Sequence, residues 1–164
     1  MRRTIKLDPI DWRILRELQA NGRITNVELA RRTGISPPPC LRRVRALEKA
    51  GVILGYRAIL DEKLLGYGVA MLALVGLHSQ AEADLVAFEK RVRGWPLVRE
   101  CYMLSGESDF FLKCLAPDLD AAQSFVIDEL TSAPNVASVK TMLILRQSKA
   151  EPGIPFDGEP GEPD

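Results

Sequence analysis

A run of basic side chains is the part of this sequence best suited to chemistry. Its members are Arg42, Arg43, Arg45 and Lys49. A guanidinium group carries a rigid fork of N–H donors, which fits the oxygens of a phosphate and the O6 and N7 edge of guanine. These residue types predict a contact with nucleic acid. The alternative interpretation is a solvated basic face, because short motifs of this kind also occur by chance.

The apolar residues between these cations indicate which way the cations point. Cys40, Val44 and Leu47 follow the i, i+4, i+7 spacing, so they form a narrow apolar seam along one side of a helix. Arg42 and Arg45 then lie on the opposite side. The seam holds such a helix against a core, while the guanidinium groups point outward.

A glycine turn and a second, shorter helix precede this one. Residues 25–33 have a small apolar face, and Gly34 can adopt the positive φ that a sharp turn between helices needs. Ser36 is a good N-cap, and Pro37 suits the first helical position, where no N–H is required. The order of helix, glycine turn and capped helix predicts a helix-turn-helix. The predicted DNA-binding residues are Asn26, Ser36, Pro38, Pro39, Arg42, Arg43, Arg45 and Lys49.

Charge is distributed unevenly along the chain, although 22 basic and 22 acidic residues leave no net charge. Residues 1–57 hold 13 Lys and Arg against 5 Asp and Glu, and residues 58–164 hold 9 against 17. Such asymmetry is typical of a basic nucleic-acid-binding module joined to an acidic one. Double-stranded DNA is therefore the predicted partner. The alternative is a ligand-binding oligomer whose helical domain docks protein, and the positive charge of residues 1–57 argues against it.

The first sixty residues contain a further helix and a candidate wing. Asp8 can cap a helix near residues 9–20, and three helices of this length make a minimal core. Residues 52–60 carry β-forming side chains on both sides of a central glycine, which predicts two short strands. Residues 1–60 are thus predicted to form a winged helix-turn-helix, followed by a linker at residues 61–66.

Residues 67–149 alternate between strand and helix patterns in the order β-α-β-β-α-β. This order predicts one four-stranded antiparallel sheet with both helices on one face, which is a ferredoxin-like domain. The predicted fold class is therefore α+β. Strand 69–77 is so rich in large apolar residues that the other face of the sheet is also expected to be covered. This favours a dimer formed through the sheet.

The remaining features argue against several classes of protein. The three cysteines have no CxxC spacing, His78 is the single histidine and no glycine-rich phosphate loop occurs, so we predict no enzyme, metal or cofactor. No apolar run reaches membrane-spanning length and no signal peptide is evident, so we expect a cytoplasmic protein without a membrane partner. Residues 150–164 are rich in proline, glycine and acidic residues, which predicts an acidic tail that is disordered past about Phe156.

Several short strings together resemble the Lrp/AsnC (feast/famine) family of transcription regulators. They are Leu7-Asp8…Asp11, Asn21-Gly22-Arg23, Ser36-Pro37…Cys40-Leu41…Arg43-Val44…Leu47-Glu48, Gly51-Val52-Ile53…Gly55-Tyr56 and Ser105-Gly106…Asp109. The resemblance covers nearly everything from Leu7 to Lys149. It implies a sequence-specific DNA-binding regulator that responds to a small effector, usually an amino acid, and homodimers that assemble into octamers. The chain departs from the family in its acidic tail and its run of three prolines.

The resemblance also implies an effector site within residues 67–149. The implied effector-binding residues are Met103, Gly106, Asp109, Thr141, Met142 and Leu143. The carboxylate of Asp109 can accept the ammonium group of an amino acid. Met103, Met142 and Leu143 offer an adaptable apolar wall, which favours a leucine- or methionine-like ligand side chain. The alternative is that Asp109 only stabilises a hairpin turn.

Overall fold

Two compact units make up the computed structural model, which describes residues 6–156. The first, the helical unit, holds the described residues up to Ile59 together with those from Ala150 onward. The second, the sheet unit, runs from Leu60 to Lys149 and includes the predicted linker. Each unit has its own hydrophobic core, and the two cores share none of the described residues.

Three helices build the helical unit, namely α1 (Pro9–Ala20), α2 (Asn26–Thr33) and α3 (Pro37–Lys49). Asp8 caps α1 as predicted, because its carboxylate accepts the N–H groups of Ile10 and Asp11, each at 2.9 Å. The helices meet in one small apolar core. Its buried members are Ile14, Leu29, Ala30, Cys40 and Leu47.

Residues 52–60 form no strand, so the predicted pair of wing strands is wrong. A two-stranded ribbon is marginal in water unless one of its faces packs on another element. Here Leu54 and Ile59 are 95% and 89% exposed, so these side chains contribute no buried face to drive pairing. The start of the segment is fixed by the N–H of Val52, which donates to the carbonyl of Leu47 at 3.0 Å.

The sheet unit follows the predicted order of strands and helices. Its elements are β1 (Val69–Leu77), α4 (Glu82–Val92), β2 (Val98–Met103), β3 (Phe110–Ala116), α5 (Leu119–Ser124) and β4 (Val136–Leu143). The strands form one antiparallel sheet in the order β2-β3-β1-β4, which leaves β2 and β4 at its edges. The prediction of an α+β chain with a ferredoxin-like second domain is confirmed.

Alternation along the strands gives the sheet two different faces. Met71, Ala73 and Val75 of β1 are buried in the core that the sheet shares with its helices. The side chains between them point to the opposite side, which we call the outer face. Its larger apolar members are Leu72, Leu74, Tyr102, Phe111, Leu115 and Met142. None of these six belongs to either hydrophobic core.

The second helix of the sheet unit changes its winding partway. After α5 the chain continues into a π-helical turn at Phe125–Leu130. There the N–H of Thr131 reaches back five residues to the carbonyl of Val126, at 2.9 Å. Phe125 and Leu130, which are five residues apart, are both buried in the core. The helical periodicity of the sequence predicts the helix but not this wider turn.

The described part of the tail contacts the first helix. Residues 153–156, which we call the C-terminal strap, contact α1 through hydrogen bonds between Ile154 and Gln19. The strap lies before the point, about Phe156, past which disorder is expected. The expectation for the residues beyond Phe156 lies outside the described part of the chain.

Candidate nucleic-acid interface and effector site

The turn between α2 and α3 has the predicted helix-turn-helix geometry. Gly34 ends α2 with φ 76° and ψ 28°, a left-handed conformation that a residue with a Cβ adopts only at a cost. The next N–H, that of Ile35, donates to the carbonyl of Ala30 at 3.0 Å. At the other end of α2, the hydroxyl of Thr25 caps the helix by accepting the N–H of Glu28 at 3.2 Å.

The start of α3 lacks the usual capping hydrogen bond. Ser36 occupies the N-cap position as predicted, but its side chain accepts no N–H from the helix. The reason is chemical, because residues 37–39 are prolines and have no N–H to donate. The first available donor, the N–H of Cys40, bonds to the carbonyl of Ser36 at 3.2 Å. The first three positions of α3 therefore offer no backbone N–H to a phosphate group.

The apolar seam of α3 holds the helix as the spacing predicts. Cys40 and Leu47 are 0% and 4% exposed, and Val44 packs against the same core. Burial raises the pKa of the Cys40 thiol, and a hydrogen bond from Thr33 opposes that rise, so Cys40 remains a neutral core residue. The exposed side of α3 carries predicted DNA-binding residues, namely Pro38, Arg42, Arg45 and Lys49.

The three cations on this side of α3 have no acidic partner among residues 6–156. Within residues 6–156, no carboxylate lies within ion-pairing distance of Arg42 or Arg45. Both guanidinium groups are therefore exposed and uncompensated on a helix whose other side is anchored. This is the arrangement that phosphate and base-edge contacts require.

Arg43 has a different role from its neighbours. Its Nη1 donates to Oδ2 of Asp8 at 2.6 Å and to Oδ1 of Asp11 at 2.8 Å. These hydrogen bonds, that from Asp11 foremost, raise the pKa of Arg43. The pKa of Asp8 is lowered, chiefly by the N–H of Asp11 and also by Arg43. The predicted DNA-binding residue Arg43 thus joins α3 to the start of α1 in the structure.

Two further arginines are also occupied by carboxylates. Arg31 and Arg32 both bond to Glu28, at 2.6 Å and 2.7 Å, and Arg32 also reaches Glu17 at 2.9 Å. The hydrogen bonds from Arg31 and Arg32 lower the pKa of Glu28 to about 2. Positive charge on α2 is therefore largely compensated, which leaves α3 as the cationic side of the helix pair.

Asn26 ties the two helices together instead of facing outward. Its Nδ2 donates to the carbonyl of Pro37 at 2.8 Å, and the residue is only partly exposed. Its Oδ1 is buried and finds no hydrogen-bond partner among the described residues. The predicted DNA-binding set thus divides: Asn26 and Arg43 fix the geometry, and the exposed members of α3 remain available.

The predicted effector hairpin joins β2 to β3. The N–H of Leu104 donates to the carbonyl of Asp109 at 2.8 Å and closes the loop. Gly106 lies exposed within it at φ 149°, a conformation that favours glycine. Met103, at the end of β2, is 61% exposed. The hairpin therefore exposes an apolar side chain at the end of β2.

Asp109 is held inside the sheet. It is 8% exposed, and its Oδ2 accepts the N–H of Leu77 at 2.6 Å, while its own N–H donates to the carbonyl of Val75 at 2.9 Å. The register between β1 and β4 shifts between Gly76 and Leu77, so the carboxylate takes a donor that lies at the irregularity in the ladder. This geometry favours the structural interpretation of Asp109.

The other predicted effector residues lie on a different strand. Thr141, Met142 and Leu143 are exposed on β4, opposite Ala73, Leu72 and Met71 of β1 in that order. Strands β3 and β1 separate β4 from β2, so Met103 and the three residues of β4 lie at opposite edges of the sheet, whereas Asp109 bonds to the end of β1. Three strand spacings make that distance roughly 14 Å. One copy of the chain therefore does not bring the six residues together.

Metal-ligand clusters and membrane-spanning helices are both absent from the described residues. Between residues 6 and 156, no group of three potential metal ligands lies close enough to hold an ion. Over the same range, no helix combines the length and the apolar character needed to cross a membrane. Cys101 and Cys114 on neighbouring strands are free, and burial raises the pKa of both thiols.

A cationic helix-turn-helix and a separate α+β domain define a two-domain DNA-binding regulator. Comparison with known families agrees with both parts. Residues 7–53 match the winged helix-turn-helix DNA-binding family, and residues 70–154 match the Lrp/AsnC ligand binding domain. The chain belongs to the Lrp/AsnC family of DNA-binding transcriptional regulators.

Similarity to individual proteins extends over both units. The leucine-responsive regulatory protein of Rhizobium meliloti (strain 1021) is 60% identical over 145 residues, which cover 88% of this chain and 93% of that protein. A transcriptional regulator from Neisseria meningitidis, solved in complex with L-methionine, has a TM-score of 0.88 at 37% identity, covering 92% of this chain and 97% of that one. AsnC of E. coli has a TM-score of 0.81 at 28% identity, with coverages of 89% and 97%.

Proposed function

We propose that this regulator reads its DNA site mainly through Arg42 and Arg45, and that an amino acid controls it in the bacterial cytoplasm. The observation that carries the proposal is the pair of exposed guanidinium groups on α3, which have no acidic partner among the described residues. Ser36, Pro38, Pro39 and Lys49 are proposed to complete the contact surface. The proposal includes no catalytic step.

Alanine at Arg42 or at Arg45 is expected to weaken binding to the operator by roughly tenfold or more. A bidentate contact with a base edge is worth about 1–3 kcal/mol of discrimination, whereas a phosphate contact mainly changes the salt dependence. Fluorescence anisotropy on a duplex from upstream of the gene, at two salt concentrations, separates these cases. Arg99→Ala, an exposed arginine of the sheet unit, is the matched control. If both α3 variants kept the native affinity and sequence preference, α3 would not be the helix that contacts a groove of the DNA.

We also propose a homodimer that forms through the outer face of the sheet and assembles further into an octamer. Support comes from the six large apolar side chains on that face, which neither hydrophobic core uses. Tyr102 and Phe111 form an aromatic pair there, with ring centroids 6.1 Å apart. A dimer places two helix-turn-helix units against a pseudo-palindromic site with half-sites separated by whole helical turns.

The effector is proposed to be an amino acid with a leucine- or methionine-like side chain. The Neisseria meningitidis relative holds L-methionine, and this chain exposes Met103, Met142 and Leu143. Because the hairpin and β4 lie at opposite sheet edges, we propose that the pocket forms where edges of different copies meet. Asp109 serves the site by fixing the hairpin. Such a ligand regulates DNA binding only if it favours one assembly over another.

Calorimetry against the twenty amino acids is expected to show binding of leucine or methionine and no binding of charged amino acids. Met103→Asp should abolish that binding, because a carboxylate in an apolar wall stays unpaired, while operator affinity without ligand stays unchanged. Leu119→Asp is the control, since Leu119 is 57% exposed on α5 and outside the proposed pocket. Failure of every amino acid to bind the native protein would refute the sensing role.

A further inference from the structure

Gln19 of α1 binds both backbone polar groups, the N–H and the C=O, of one residue of the C-terminal strap, Ile154. Nε2 of Gln19 donates to the carbonyl of Ile154 at 2.8 Å, and Oε1 of Gln19 accepts the N–H of Ile154 at 3.0 Å. One side-chain amide thus bonds to both the N–H and the C=O of a single residue, as a paired residue of a neighbouring antiparallel strand would. The two residues are 135 positions apart, so this is a tertiary contact.

The strap also brings an aromatic ring to the surface of α1. The ring of Phe156 meets that of Trp12 edge to face, with centroids 6.3 Å apart and planes at 79°. The guanidinium carbon of Arg16 lies 5.8 Å from the centroid of the Phe156 ring, within cation–π range. The strap is therefore held by a polar and an aromatic contact on the same helix.

The backbone of the strap is fitted to this contact. Gly153 has φ 111°, a conformation that residues with a side chain rarely adopt. A Cβ at this position would also overlap the side-chain amide of Gln19. Glycine at this position permits the close approach that lets Gln19 reach Ile154.

The strap and the segment after α3 face the same space. Ile154 and Phe156 line a cavity of about 410 Å³ together with Leu15 and Leu18 of α1 and residues 52–56. Residues 52–56 form no strand, and their hydrogen bonds run back to α3. The N–H groups of Val52 and Ile53 donate to the carbonyl of Leu47, and the hydroxyl of Tyr56 donates to Glu48 at 3.0 Å. Without the strap, the partly buried side chains of Leu15 and Leu18 would be more exposed to water.

We propose that the strap contributes to DNA binding by the helical unit. The groove between α1 and residues 52–56 is an internal docking site for residues 153–156, and the docked strap holds residues 52–56 in place for DNA binding. The part of this inference that concerns affinity depends on the proposed function. Neither family match includes residues 153–156 in the helix-turn-helix domain, so this role of the strap in DNA binding is new.

Two full-length variants, Gln19→Ala and Gly153→Ala, release the strap from opposite sides of the contact. In the native protein the Ile154 amide is expected to exchange its hydrogen at least about tenfold more slowly than an unprotected amide, since one hydrogen bond has a net value near 1 kcal/mol and the aromatic contact adds to it. Both variants should lose this protection. Their operator affinity should fall about threefold to tenfold, and the double variant should lose no more than either single one. Gln123→Ala, an exposed glutamine on α5, is the matched control.

Each outcome decides one claim. If the Ile154 amide of the native protein exchanges its hydrogen as fast as an unprotected amide, the strap does not dock on α1. Protection that both variants abolish, with operator affinity unchanged, overturns its role in DNA binding. If the native protein binds no duplex at all, the proposed function fails, and the exchange measurement still decides whether the strap docks.

Discussion

Replacing Asp109 with alanine is expected to destabilise the sheet unit by about 2 kcal/mol or more, because the substitution leaves the buried N–H of Leu77 without an acceptor. The carboxylate accepts that N–H at 2.6 Å, and Asp109 is itself 8% exposed. No strand bond can replace it, since the ladder between β1 and β4 is irregular at this point. Urea denaturation followed by circular dichroism measures the loss as a lower midpoint at unchanged slope.

Two companion variants show whether this loss reflects the hydrogen bond. Asp109→Asn keeps an acceptor oxygen of the same size, so it should recover most of the stability. Asp128→Ala removes an exposed carboxylate from the same unit and should change stability by less than about 0.5 kcal/mol. A denaturation midpoint for Asp109→Ala equal to that of Asp128→Ala would show that the carboxylate does not stabilise the fold.

Phe111→Asp is expected to convert the proposed dimer into a monomer. Phe111 lies on β3 between Leu74 of β1 and Tyr102 of β2, so a carboxylate there has apolar neighbours on both sides. Burying an unpaired charge in an interface costs about 3 kcal/mol or more, which raises the dissociation constant more than about a hundredfold. Analytical ultracentrifugation at micromolar concentration measures the change.

The matched control for this experiment is on the other side of the same unit. Val86→Asp places the same charge on α4, where the valine is already 51% exposed, and should leave the mass in solution unchanged. Operator affinity should fall in Phe111→Asp, because two half-sites are no longer bound together. A native protein that sediments as a monomer would contradict the proposed assembly before any variant is made.

Local rules predict much of this fold from the sequence. The cap at Asp8, the left-handed glycine at residue 34 and the apolar seam of α3 each depend on residues a few positions apart. Such patterns determine local structure directly. The order of strands and helices in residues 67–149 follows from the same periodicities, and it leads to the observed sheet.

The features that the sequence did not predict depend on contacts between distant residues. The helical spacing places Arg43 at one edge of the apolar seam, among the predicted DNA-binding cations. In the structure it bonds to carboxylates 32 and 35 positions away, because α1 and α3 share one core. The pairing of Asp109 with Leu77 and the docking of the strap on Gln19 are long-range in the same sense. The prediction of two wing strands was wrong because it depended on local residue types alone. Residues with a high β propensity do not form strands unless they have a surface to pack against.

The separation of the two hydrophobic cores has a genetic consequence. A substitution on α3 that abolishes DNA contact leaves the core and the outer face of the sheet unit untouched, since the two cores share none of the described residues. Such a subunit still pairs with normal subunits in the proposed dimer. Each mixed dimer then has only one helix-turn-helix unit that can bind DNA. Alleles of this kind are therefore expected to be dominant in cells that also express the normal protein. Alleles that unfold the sheet unit remove the subunit from every pair, so they are expected to be recessive.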